Sequence, residues 1–140
     1  MANVVYNSAK VDLLKANIDY ESDTIMCALV TSSYSPNVDT HAFYDDISNE
    51  ISGTGYTTGG AEITSKTVTQ DDTDNEGVFD GANITWASST LIARGAVIYK
   101  DTGTASTSPL ICYVDFGADK SSSAGDFIIQ WNSEGILNIS

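Results

Sequence analysis

The stretch Leu91-Ile-Ala-Arg-Gly-Ala-Val-Ile-Tyr-Lys100 decides the fold class. Ile92, Ala96 and Ile98 fall on one parity, Val97 and Tyr99 on the other, around Arg94-Gly95. Successive strand residues point to opposite faces, and β-branched and aromatic types favour a pleated backbone. This is the strongest strand in the chain. Residues 101–108 follow it as a Thr/Ser/Gly connector, and residues 110–116, around Leu110-Ile-Cys-Tyr-Val114, form the next strand. Upstream, Val78, Phe79, Ile84 and Trp86 mark a strand region over 77–86, split by Asp80-Gly81. Downstream, Lys120-Ser-Ser-Ser-Ala-Gly125 reads as a flexible turn, with short strands at 126–131 and 135–139.

The N-terminal half extends the pattern. Ile25, Cys27 and Leu29 alternate with Met26, Ala28 and Val30, so residues 24–31 form an interior strand, apolar on both faces. Residues 61–70 alternate Ile63, Ser65, Thr67 and Thr69 with Thr64, Lys66, Val68 and Gln70. That predicts a half-exposed edge strand, with Lys66 blocking further pairing. Two short helices complete the reading. Val11, Leu14 and Ile18 form a stripe over 8–19 with Ser8 as N-cap, and Phe43, Ile47 and Ile51 form another after Asp39-Thr40-His41. About seven strands with two short helices near the start predict an all-β class: one domain over 1–140, an antiparallel β-sandwich or barrel-like fold. Apolar residues concentrate from residue 84 onward, which places most of the core there. Trp86, Ile98, Tyr113, Phe127 and Trp131 are expected to be buried, in the core or at a subunit contact.

Composition agrees. The chain has 140 residues, a length that suits one domain. Hydrophobic residues make up 41% and charged residues 18%, while Ser and Thr fill 32 positions. Strand and turn formers outweigh the Lys, Glu, Arg and Gln of surface helices.

Charge excludes several partners. Six Lys+Arg oppose 19 Asp+Glu, a formal net charge of -13. The imbalance is even, -6 over residues 1–70 (3 basic, 9 acidic) and -7 over 71–140 (3 basic, 10 acidic). Nucleic acid and anionic membranes need Lys and Arg to replace counterions, so neither is an expected partner. No stretch approaches the roughly 20 apolar residues of a membrane span. Met1-Ala-Asn-Val-Val-Tyr6 lacks a basic start and a long apolar core, so the expectation is synthesis in the cytoplasm without a signal peptide.

Chemistry-bearing patterns are sparse. Cys27 and Cys112 lie inside apolar runs and read as buried free thiols. His41 is the lone imidazole and reads as a capping or surface residue, without a nucleophile motif around it. Gly53-Thr-Gly-Tyr-Thr-Thr-Gly-Gly60 lacks the Lys-Ser/Thr ending of a phosphate loop. Asp45/Asp46 and Asp71/Asp72 lie in polar segments and read as solvated acids. The one metal-like pattern is Asp72, Asp74 and Glu76 before Gly77, which follows the start of a calcium loop. Its twelfth position is Asn83, which removes the bidentate ligand, so an acidic turn is expected instead. Trp86, Trp131 and the seven Tyr are expected to fill the core or an oligomer contact ahead of a sugar platform. No catalytic residue, cofactor or metal is assigned, and the chain is not expected to be an enzyme.

Several segments resemble a family of small virion structural proteins of tailed bacteriophages. They are Ile25-Met-Cys-Ala-Leu-Val-Thr-Ser-Ser-Tyr-Ser-Pro36, His41-Ala-Phe-Tyr-Asp-Asp-Ile-Ser48, Ser52-Gly-Thr-Gly-Tyr-Thr-Thr-Gly-Gly60 and Ala93-Arg-Gly-Ala-Val-Ile-Tyr-Lys-Asp-Thr-Gly103, then residues 108–127 and Gln130-Trp-Asn-Ser-Glu-Gly-Ile-Leu137. The order runs through nearly the whole chain. The resemblance implies a virion component, foremost a capsid decoration (cement) protein on the outer head surface. Its implied partners are the major capsid protein and copies of itself, in a homo-oligomer such as a trimer. The alternative it leaves is a tail, baseplate or fibre-associated protein that contacts host carbohydrate. No site residues carry over from it.

Overall fold

A computed structural model describes residues 3–140. In chain order the elements are β1 (Val4–Val5), α1 (Asn7–Leu14), β2 (Ile25–Val30), β3 (Ala61–Glu62), β4 (Thr67–Asp71), β5 (Glu76–Asp80), β6 (Ile84–Lys100), β7 (Leu110–Ile129) and β8 (Leu137–Ile139). Two short 3-10 turns, Tyr44–Asp46 and Ala105–Thr107, lie in the connections. The strands form two antiparallel sheets, one in the order β1-β7-β6-β2-β3 and one in the order β4-β5-β8.

The five-stranded sheet is buried on both faces along β2, the second half of β6 and the start of β7. Cys27, Ile98 and Cys112 share a row, as do Leu29, Ala96 and Val114. Those rows join a cluster with Phe79, Ile136 and Leu137, beneath the three-stranded sheet. The intervening row, Ala28, Val97 and Tyr113, faces the other way. It packs with Tyr6 and Ala9 at the start of α1 and with Tyr34. The two periodicities of one sheet thus feed two cores, the physical meaning of strands apolar on both sides. Of 31 buried hydrophobic residues among the described residues, 18 come from residue 84 onward. Trp86, Ile98, Tyr113, Phe127 and Trp131 are all buried.

The all-β class and the interior placement of β2 agree with the sequence. Four local readings change. Residues 120–125 are not a turn: they continue β7, so residues 110–129 make one strand. The neighbouring strand decides this. Ser122 Oγ lies 2.8 Å from Ser89 Oγ, and Thr90 Oγ1 accepts the Ala124 N–H at 3.1 Å. Small hydroxylated side chains that favour turns in isolation are used here as cross-strand partners.

The second helix is only the three-residue turn Tyr44–Asp46. The Asp46 carboxylate accepts the Ala42 and Phe43 N–H groups. Backbone bonds Tyr44 N to Ser108 O and Leu110 N to Ala42 O tie the segment to the connector before β7. Tertiary pairing replaces the helical ladder.

Helix α1 forms, but its stripe does not pack as expected. Ala9 is its one buried residue, Val11 and Leu14 are exposed, and Ile18 enters the core from beyond the helix. The chain turns at Ala16, whose φ is 56°, before it can complete the third turn. Tyr6, not Ser8, occupies the N-cap position, and its fully buried ring anchors the entry. The predicted edge strand also divides. Ser65 adopts φ 51°, separating β3 from β4. Lys66 folds back toward the Ile63 carbonyl and Glu62, so it does not guard the edge. Glu21 does: its carboxylate accepts the outward N–H of Val68.

Candidate interaction surface

The acidic turn 72–75 closes the β4–β5 hairpin. Of the calcium-like residues, Asp74 and Glu76 come together, joined by Asp71 and Glu134, with one oxygen from each within 4.8 Å of the others. Asp72 stands apart and accepts the Gln70 side-chain amide. Asp71 Oδ1 accepts the Thr73 and Asp74 N–H groups, and Glu76 accepts from the Asn138 side chain. The carboxylates therefore organise the turn themselves. Glu134 arrives from the loop before β8, and no local spacing could have announced it.

The Gly53–Gly60 segment is a structural clasp. Glu50 Oε1 accepts the Tyr56 hydroxyl and the Gly59 N–H, each at 2.7 Å, and Oε2 accepts the Tyr44 hydroxyl. Tyr99 donates to the Gly59 carbonyl at 2.7 Å. Burial, then the bond to the Glu50 carboxylate, pushes the Tyr44 and Tyr56 hydroxyls well above their usual range. At Gly60 the backbone takes φ 85°, and a Cβ there would run into the Cys27 carbonyl.

His41 Nδ1 accepts the Asn37 N–H at 3.3 Å and lies 3.1 Å from the Tyr34 hydroxyl, which reaches the Tyr6 hydroxyl at 2.7 Å. The imidazole caps its own loop. Both thiols are free and fully buried. The two Trp rings are core residues, and Trp131 Nε1 donates to the Ala82 carbonyl at 2.9 Å.

One surface differs from the rest of this acidic molecule. The first half of β6 pairs with the second half of β7. Their inward side chains, Trp86, Leu91, Ala93 and Phe127, are buried. Their outward ones are mostly small and uncharged: Thr85, Ala87, Thr90, Ser121 and Ser123, with Ile92 at 63% and Ile128 at 58% exposure, and Asp126 the one charged side chain among them. Residues 84–93 and 121–125 contain no Asp, Glu, Lys or Arg. Beside this face, a concavity of about 510 Å³ is lined by Phe116, Lys120, Asp126, Ile128 and Gln130 among others. At its rim Arg94 Nε donates to Asp115 at 2.8 Å, which holds the Asp115 carboxyl below its ordinary range. Sequence reading missed this surface because it took 120–125 for a turn. The run of ten uncharged residues at 84–93 was the available signal.

No family model matches the chain, and no curated protein or solved structure matches it.

Proposed function

We propose that this protein is a structural component of a tailed-bacteriophage virion, and foremost a decoration protein that binds the outer surface of the head. The observation that carries the reading is the charge-poor outer face of the β6–β7 hairpin, where Asp126 is the one charged side chain, on a chain of net charge -13. Such a face buries area against a protein shell with little charge to desolvate. The remaining acidity repels nucleic acid and keeps free copies apart. A rigid sheet fixes the contact geometry, and weak contacts summed over many copies supply the binding. The sequence resemblance, which runs through nearly the whole chain, points to the same class. A tail or fibre role, with host carbohydrate as the ligand, remains the second reading on the resemblance alone.

The test is to mix purified protein with expanded heads that lack it and to image them by electron microscopy. Ordered density on the shell, lost in Ile92→Asp and Ile128→Asp, is the expected result. Both side chains are more than half exposed, so the variants should fold. Bare shells, with density only at the tail or none, would overturn the head assignment.

A further inference from the structure

Eight large apolar side chains are exposed among the described residues. Three of them, Leu13, Val68 and Ile139, line one groove of about 200 Å³ between α1 and the three-stranded sheet. Phe79 and Leu137 are also in its lining, and every other lining residue is apolar or glycine. Two more, Val11 and Leu14, stand on the outward side of α1. Leu14 is 88% exposed, the most of any large apolar residue described. It is an unfavourable place for a leucine in a lone molecule, since apolar surface gains by leaving water.

The charges around these features are arranged in opposition. Lys10 lies one turn before Leu14 on α1 and Lys15 is its C-cap, with Asp12 the one acid between them, and the two lysines are among only six cations in the chain. Neither takes part in the ion pairs among the described residues, which are Lys66–Glu62, Arg94–Asp115 and Lys100–Asp23. The groove opens directly into an acidic hollow. That hollow shares Val68, Gly77 and Ile139 with it and continues to Asp71, Asp72 and Glu76. One molecule thus carries a leucine knob between two lysines and an apolar socket beside a cluster of carboxylates.

We infer that a second copy of this chain occupies the groove, with Leu14 of one copy entering the socket of the next and Lys10 and Lys15 meeting its acidic hairpin. A partner of unrelated chemistry would have no reason to match both halves. Knob and socket on one chain make a head-to-tail contact between copies, which builds a ring where the rotation from one copy to the next closes. A standard contact buries roughly 800 Å² per partner. That is about a ninth of the 7065 Å² surface of this chain, well within reach of a helix face plus a sheet face. The inference deepens the reading of the protein as a repeated virion component and rests on it for its biological setting.

Sedimentation velocity on the full chain, up to about 100 µM, tests it. Wild type should form a homo-oligomer, and Leu14→Asp should return it to monomer with an unchanged circular dichroism spectrum. Leu14 and Lys15 are exposed, so loss of folding does not confuse the result. Lys15→Glu should weaken association at least about tenfold, roughly one close charge pair, and Asp72→Lys in the same chain should restore much of it. A monomeric wild type, or an oligomer indifferent to Leu14→Asp, would overturn the inference. Monomers that still decorate shells would remove this contact and leave the head reading standing. Oligomers that dissolve with Leu14→Asp but leave shells bare would do the reverse.

Discussion

Cys27 and Cys112 sit on either side of Ile98 in one row of the central sheet. Neighbouring strands are about 4.8 Å apart, so the two residues are separated by roughly 9.6 Å. A disulfide needs Cα atoms within about 7 Å, so β6 keeps the thiols apart. Burial pushes the Cys112 thiol up to about 12 and raises Cys27 further. Ellman's reagent should find no reactive thiol in the native protein and two after denaturation. Reaction at the native rate of an exposed thiol would contradict the packing.

Ser89 is fully buried at a change of register in the long hairpin. Its Oγ lies 2.9 Å from the Trp86 carbonyl, 3.0 Å from the Gly125 carbonyl and 2.8 Å from Ser122 Oγ. Ser89→Ala should destabilise by about 1–3 kcal/mol, because buried acceptors lose their donor. A urea titration measures it. A change below about 0.5 kcal/mol, the scale of an ordinary surface substitution, would show that the network contributes little.

Glu50 holds three donors from two segments, Tyr44 on one side and Tyr56 and Gly59 on the other. Glu50→Ala should cost about 2–4 kcal/mol, and Glu50→Gln about half as much, since an amide oxygen can keep some of those bonds. Hydrogen exchange at Gly59 should accelerate in the order wild type, Gln, Ala.

Gly60 combines a left-handed backbone with contact against Cys27. Gly60→Ala should destabilise by at least about 3 kcal/mol, through strain and collision together. Gly103 also has a positive φ but meets nothing nearby. Its alanine variant should therefore show the backbone effect alone, about 1 kcal/mol. Equal melting temperatures for the two variants would refute the distinction.

Stability should be lost at both pH extremes. The Asp19, Asp46 and Asp115 carboxyls lie below their ordinary value of 3.8, held by the Ser22 side chain, by the Ala42 and Phe43 N–H groups and by Arg94 respectively. A lowered carboxyl stabilises the fold above its unfolded value, and that contribution fades as pH falls through the folded one. The loss should begin near pH 3.8 and deepen below it. At the other end, burial raises Cys112 from 9.0 and Tyr20 from 10.0, each to about 12. Raised groups stabilise below their unfolded values, so melting temperature should fall from about pH 9 upward. Thermal melts across this range give the profile.

The legible parts of the fold were the ones written in local alternation. β2 and the second half of β6 are apolar on both parities, and both lie in the doubly covered sheet. Segments that borrow their partners from elsewhere were not legible. Residues 120–125 gain strand geometry only opposite Ser89–Ala93, and the Phe43–Ile51 stripe loses its helix to the connector before β7. The acidic cluster shows both cases at once. Asp74 and Glu76 stand out in the sequence, but Glu134 joins them only through the pairing of β8 with β5. The outer hairpin face was half visible, as ten uncharged residues at 84–93, and its other half depended on pairing that those residues alone do not reveal.

The changes of register in the long hairpin also settle a problem of sliding. Two plain strands of 17 and 20 residues could shift by two positions and keep every side chain on its correct face. Here the shifts near Trp86, Ser89, Ala93 and Ile98 are spaced unevenly, and Ser88 and Ala124 hold left-handed backbones at 50° and 47°. A slipped hairpin would set each irregularity against regular backbone on its partner. The strands therefore have one alignment, locked like a key with unequal teeth, and a long ribbon otherwise free to creep under load keeps a fixed length.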